Sequence, residues 1–220
     1  MKKIKKEVKY GLLKFFIPIV IGVGGSAVFL LLLPYQISSK LLPLMLAYFF
    51  PPMGKESVIP IGIGSGIPPH IMIFAISFMD IITGLFMVWN YDNVKYIPLI
   101  GKPLNHLLKK AERKGKEVSK EHRWIKSLEF VGVSIFIIIP FQGTGAISAS
   151  IVGRIIGMDP WRVWFATIIG SLISCTLMAY GSELVKVIIG INPILAVVFV
   201  LGIIYGILLF IEALKKNFKN

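Results

Sequence analysis

Three ionisable residues stand in stretches too apolar to hold them cheaply: Glu56, Asp80 and Arg154. A charge at bilayer depth is expensive, and where one occurs it faces a pathway, relays a proton or meets a partner. An apolar cavity disfavours the charged form of a carboxylate, so Glu56 or Asp80 could take up and release a proton near neutral pH. Arg154 keeps its charge at any working pH and could hold a carboxylate or a phosphate headgroup through two parallel hydrogen bonds. The structural use of the same groups is an Asp80–Arg154 or Glu56–Arg154 ion pair that fastens parts of a bundle together. Backbone is a further candidate. Gly143, Thr144, Gly145 and Ala146 would present free amides at the start of a half-helix, which favours anions, and Gln142, Thr144 and Ser148 add side-chain hydrogen bonds. On another face, Gly145, Ala149 and Gly153 form a small-residue ridge at spacing four that lets helices approach closely.

The elements that must carry these groups follow from composition. The chain has 220 residues, 55% hydrophobic and only 16% charged. That exceeds the apolar share of ordinary soluble domains and implies an integral membrane protein. Crossing about 30 Å of hydrocarbon takes roughly 20 helical residues. Four stretches are long enough: 15–33, 69–91, 163–182 and 187–210, with Asp80 the one charge well inside them. The single cysteine, Cys175, permits no intramolecular disulfide and reads as small helix packing.

A net charge of +13 would suggest nucleic acid in a soluble protein, but here it sits in three places. Lys2 to Lys14 open the chain, Lys95 to Lys126 fill its centre, and Lys215, Lys216 and Lys219 close it. Basic residues beside membrane segments mark the cytoplasmic side. The tail 1–14, the loop 92–127 and the tail 212–220 are therefore expected in the cytoplasm of a multi-pass protein of the cell membrane, with no nucleic-acid partner. The apolar run after Lys9 is too long for a signal-peptide core and should remain as the first helix.

Each crossing changes sides, so three inward segments require an even number of crossings between them. Four crossings suffice, and the leftover apolar stretches 41–67 and 130–157 must enter and leave on one face. They are predicted to be re-entrant. The first carries Pro43, Pro51, Pro52 and Pro60 among its glycines, and the second has Pro140 and Gly143 near its middle. Proline breaks helices and glycine permits tight reversal. Such backbone at membrane depth must be covered by protein or line a water-filled cavity.

A phrase then recurs 91 residues on: Gly66-Ile67-Pro68-Pro69 with Phe74-Ala75, and Gly157-Met158-Asp159-Pro160 with Phe165-Ala166. Matching interrupted segments in two halves mark a transporter built from membrane repeats, with its site between them. The halves 15–91 and 128–211 become inverted copies, hinged at Pro60, Gly66 and Pro69 and at Pro140, Gly157 and Pro160. The fold class is thus an all-α integral membrane protein: four transmembrane helices plus two re-entrant helical hairpins in an inverted-topology repeat.

Pro140-Phe141-Gln142-Gly143-Thr144-Gly145-Ala146, followed by Gly157-Met158-Asp159-Pro160, resembles the P-x-P-G-T-G-A signature of the small multidrug export family, distant relatives of the DedA membrane proteins. Gln142 replaces the second proline, and Lys55-Glu56 precedes Pro60 at shorter spacing than usual, without the usual arginine. The resemblance implies a polytopic, transporter-like fold with two re-entrant hairpins.

In the central loop, Leu104, Leu107, Leu108 and Ala111 share one face of a helix whose other face carries Lys109, Lys110, Arg113 and Lys114. It should lie on the anionic inner leaflet, anchored by Trp124. His70, His106 and His122 have no zinc spacing, and neither catalytic signatures nor a phosphate-binding Gly-Lys-Ser loop are present. No metal, cofactor or enzymatic activity is expected. The leading reading is an ion-coupled secondary transporter that exports small molecules, using a proton or another coupling ion. A DedA-like lipid translocase or scramblase is the alternative, and a non-transporting assembly protein is a third. The lipid bilayer is the certain partner, and a homodimer is compatible with the sequence.

Overall fold

A computed structural model describes residues 2–50, 53–94, 123–138, 145–195, 197–202, 205, 206 and 209. They are helical, with no strand among the described residues. The helices are α1 (Lys2–Leu32), α2 (Tyr35–Ala47), α3 (Lys55–Gly64), α4 (Pro69–Val94), α5 (Arg123–Ile138), α6 (Ala146–Ile155) and α7 (Pro160–Ile191). Three of them are long and apolar enough to cross a membrane, over Tyr10–Leu32, Pro69–Tyr91 and Pro160–Ile191. At 1.5 Å per residue, α3 and α6 reach only about 15 Å each, half the hydrocarbon thickness.

The boundaries have local causes. Pro34 stands before α2 with φ −55° and ψ 140°, an extended setting that separates it from α1. α3 and α6 end in the same way. At Gly66 (φ +91°) and Gly157 (φ +90°) the chain enters the left-handed region, and no non-glycine among the described residues does so. Ile67 N–H donates to the Gly62 carbonyl at 3.0 Å and Met158 N–H to the Gly153 carbonyl at 3.0 Å, so orphan carbonyls at both helix ends are satisfied. Both ends are Schellman turns, and Ile67 and Met158, which follow the glycines, are each 2% exposed. Pro69 and Pro160 then occupy first helical turns, where no amide is needed. Replacing either glycine by alanine should cost about 1–2 kcal/mol, the strain of a β-carbon in this region. Reversible unfolding in micelles would measure it, and a loss at only one site would mean that the turns are not equivalent.

The same offset of 91 residues relates α3 to α6 by their first residues, Lys55 and Ala146, and α4 to α7 by Pro69 and Pro160. A β-carbon on Gly62 would meet Met72 Sδ at 2.5 Å, and one on its counterpart Gly153 would meet Val163 Cγ2 at 2.8 Å. Met72 and Val163 are themselves 91 apart. Two apolar clusters bind the elements together: Leu41, Val58, Ile63 and Met72 pack with Cys175 and Ala179 of α7 in one, and Val133, Ile137, Ala149 and Val163 with Val88 of α4 in the other.

α4 and α7 run antiparallel. Asp80 meets Ser171, while one turn later Gly84 lies so close to Thr167 that a β-carbon would stand 2.8 Å from its methyl. α1 is antiparallel to α4 as well. Asn90 Nδ2 donates to the Lys14 carbonyl at 3.1 Å near one end, and Gly25 closes on Phe78 nearer the other. The lipid-facing sides of α1 and α7 stay apolar and exposed, as at Val20, Val23 and Leu177.

The structure corrects several boundaries. α1 begins at Lys2, so the basic tail 1–14 continues the first span as helix. Pro43 and Pro60 lie inside α2 and α3, and the break in the first hairpin falls between Ala47 and Lys55. The hairpin helices start earlier than positions 41 and 130, at Tyr35 and Arg123. α7 runs unbroken past residue 182, because Gly181 and Ser182 do not stop a helix; it yields at Asn192 (φ −156°, ψ 114°), where the following Pro193 disfavours helical geometry. The interval 183–186 is therefore helix, bearing an exposed Lys186–Glu183 pair at 3.8 Å. Helical backbone resumes at Pro193. The amphipathic segment 104–114 lies outside the described residues, as do Pro51, Pro52, Pro140, Gln142, Gly143 and Thr144.

Candidate functional site

Asp80 lies near the middle of α4 with no exposed surface. An unpaired carboxylate there would be prohibitive, and its surroundings supply four donors. Oδ1 accepts from the Tyr48 hydroxyl and from the Ala146 amide at 3.3 Å. Oδ2 accepts from the Ser171 hydroxyl at 2.7 Å and faces the Lys55 ammonium at 3.5 Å. Lys55 is itself 1% exposed and donates to the Ile137 carbonyl at 2.9 Å.

The positions of these partners explain the pair. Ile137 lies in α5, and its carbonyl accepts from the Lys55 ammonium. Ala146 opens α6, so its amide is an orphan donor at a positive end. Asp80 therefore caps the start of α6, while Lys55 holds a carbonyl of α5. The counterparts 91 residues on are Ala146 for Lys55 and Ser171 for Asp80, both uncharged, and both touch Asp80. The charge of the centre thus comes from the first half and two of its donors from the second.

α1, α2 and α4 leave a crevice of about 480 Å³ lined by residues that include Gly22, Ser26, Met45, Phe49, Met79 and Phe86. Met79 and Phe49 adjoin Asp80 and Tyr48 in sequence. Its polar groups are already engaged: Thr83 donates to the Met79 carbonyl at 2.6 Å and Ser26 approaches Met79 Sδ at 3.7 Å.

Residues 56–177, more than half of the chain, match the family described as Putative small multi-drug export protein. The chain belongs to this family. No curated protein and no solved structure matches it. With three apolar spans, this member of the small multi-drug export family is a multi-pass membrane protein. The matched segment contains Asp80, Ala146 and Ser171 and leaves Tyr48 and Lys55 just outside.

The expected site residues divide in space. Asp80, Gly145 and Ala146 come together, a β-carbon on Gly145 lying 3.7 Å from Asp80 Oδ1. Glu56 follows Lys55 in the first turn of α3; its Oε1 is buried and has no hydrogen-bond partner among the described residues. Arg154 is elsewhere. In the last turn of α6 it donates from Nη1 to the Met158 carbonyl at 3.1 Å and stands 5.2 Å from the Tyr91 ring. That end also gathers Trp89, Trp161 and Trp164, an aromatic group of the kind that favours membrane interfaces. The partner of Asp80 is accordingly Lys55, in place of the expected Asp80–Arg154 pair. Gly66 and Gly157 form the turns and Pro69 and Pro160 open the spans, whereas Pro60 lies mid-helix. Among the described residues, no three His, Cys, Asp or Glu side chains gather as metal ligands.

Sequence reasoning missed Lys55, Tyr48 and Ser171. Two of them carried a signal: Ser171 stands 91 residues after Asp80, and Lys55 stands 91 before Ala146. Tyr48 carried none.

Proposed function

We propose that this protein is an ion-coupled secondary transporter that exports small molecules by alternating access, with Asp80 as its protonatable coupling group. The observation that carries the reading is the convergence on one fully buried carboxylate of donors from both halves: Tyr48 and Lys55 from one, Ala146 and Ser171 from the other. Protonation of Asp80 would remove the charge that holds Lys55 and the start of α6. The contact between the halves then weakens where they meet, which is what a coupling group must achieve.

An inverted repeat is supported by the antiparallel course of α4 and α7 with the counterparts Asp80 and Ser171 face to face, as a two-fold axis in the membrane plane would place them. Re-entrance of 41–67 agrees with the antiparallel α1 and α4, which demand an even number of crossings between them, and with the shortness of α3. On that topology the end bearing Lys14, Asn90 and Trp161 faces the cytoplasm. The apolar crevice between α1, α2 and α4 gives a lipophilic solute a lateral way in from the bilayer.

Reconstitution in liposomes tests this. An imposed pH gradient should drive solute movement, and Asp80→Asn should reduce the coupled rate about 100-fold, as loss of a required proton carrier does. Gradient-independent flip of labelled lipid, with no solute transport, would favour the DedA-like translocase. Folded protein with neither activity would sink transport altogether.

A further inference from the structure

The groups around Asp80 are of one kind. Tyr48 O–H, Ser171 O–H, the Ala146 amide and the Lys55 ammonium all donate, and all four point at the two oxygens of a single carboxylate. Without Asp80, the groups that bond it are a buried cation and three neutral donors, one of them at the positive end of α6, with the Glu56 carboxyl next to Lys55 in α3. Such a set recognises anions. One turn along the same buried face of α7, Ser174 is 0% exposed and its hydroxyl has no hydrogen-bond partner among the described residues, so a further donor stands unused.

We infer that this donor cluster is a substrate site for organic monocarboxylates, and that Asp80 occupies it as an internal ligand. This deepens the transporter reading and rests on it. A substrate carboxylate cannot share the site with an ionised Asp80, because two carboxylates facing one ammonium repel each other. Protonation of Asp80 to its neutral acid removes that conflict. The substrate then takes the Lys55 ammonium and the Ala146, Ser171 and Tyr48 donors, and the apolar remainder of the molecule lies toward Met79 and the crevice of α1, α2 and α4. One proton and one anion enter together, so the loaded site carries the same net charge as the empty one. A cationic substrate fits poorly, since it would have to displace an ammonium that also holds the Ile137 carbonyl of α5. A carboxylate suits the geometry better than a phosphate, because the four engaged donors serve two oxygens.

Purified full-length protein in detergent, titrated calorimetrically with benzoate from pH 5 to pH 8, tests the inference without requiring transport. Wild-type affinity should tighten about tenfold per unit fall in pH wherever Asp80 is ionised, with one proton taken up per benzoate bound. Asp80→Asn should bind benzoate at pH 8 at least tenfold more tightly than wild type and lose the pH dependence, while Lys55→Met should abolish binding. Inorganic phosphate should not compete. Wild-type binding that ignores pH, or binding without proton uptake, overturns the inference, as does benzoate that fails to bind at any pH. Phosphate competing equally overturns the choice of carboxylate. If Asp80→Asn does not fold, as judged by its helical spectrum and elution, the proton count on wild type decides alone. Benzoate binding with no transport in liposomes would leave the site standing and sink the transporter reading; gradient-driven transport of other solutes without benzoate binding would do the reverse.

Discussion

Lys55→Met is expected to destabilise the fold more than Lys55→Met and Asp80→Asn together. Removing one partner of a buried pair strands the other charge, which typically costs about 3–5 kcal/mol. Removing both leaves no charge to solvate. It still removes the hydrogen bond to the Ile137 carbonyl and weakens the one to Ala146, at about 1 kcal/mol each for an ordinary hydrogen bond. The double variant should therefore lose about 1–2 kcal/mol, against about 3–5 for either single one. Unfolding of the four proteins in mixed micelles completes the double-mutant cycle. Additive losses would mean that Lys55 and Asp80 act independently and that the 3.5 Å separation between them carries no interaction. The prediction separates two kinds of evidence: the cycle measures how tightly the halves are tied, whereas transport measures whether the tie is used.

Much of this arrangement was legible from residue types. The recurring phrase could be read because proline and glycine act through backbone geometry: Gly66 and Gly157 each take a positive φ, and Pro69 and Pro160 each open a long helix. Asp80 stood out because a carboxylate amid apolar residues has few uses. Its partner did not. Arg154 looked suitable because it shares an apolar segment with the glycine-rich motif, but a helix of ten residues separates its two ends by about 15 Å, and Arg154 lies at the end opposite Ala146. Lys55 was hidden by its setting beside Glu56, where a lysine–glutamate dipeptide reads as a solvated turn. Only tertiary packing brings a lysine to 1% exposure against another helix. Pro60 lies mid-helix rather than at a hinge for a related reason. Proline within a helix removes one hydrogen bond but does not always end it, and Pro43 and Pro60 are both carried through.

Gly170→Ala should destabilise the protein by about 1–3 kcal/mol, although glycine to alanine within a helix normally stabilises by about 1 kcal/mol. The sign reverses because α5 and α7 meet at this point without a side chain between them. A β-carbon on Gly170 would lie 2.9 Å from the Ser134 carbonyl and 2.8 Å from Ile137 Cβ. A backbone carbonyl cannot swing aside, so α5 itself has to move. Ser134 resists that movement through its hydroxyl, which donates to the Phe130 carbonyl at 3.0 Å and reaches the Ala166 carbonyl at 3.4 Å. Ile137 is also the residue whose carbonyl holds Lys55, so a shift of α5 loosens the ammonium facing Asp80. Gly181→Ala is the control. It lies in the same helix with nothing within 4 Å of its β-position, and it should show no loss or a small gain. Both variants can be compared by thermal unfolding, and the coupled transport rate should fall about tenfold in Gly170→Ala alone, the scale of effect that 1.4 kcal/mol at the site produces. If the two substitutions behave alike, helix propensity governs both positions, and the close approach of α5 to α7 does not position the Lys55–Asp80 pair.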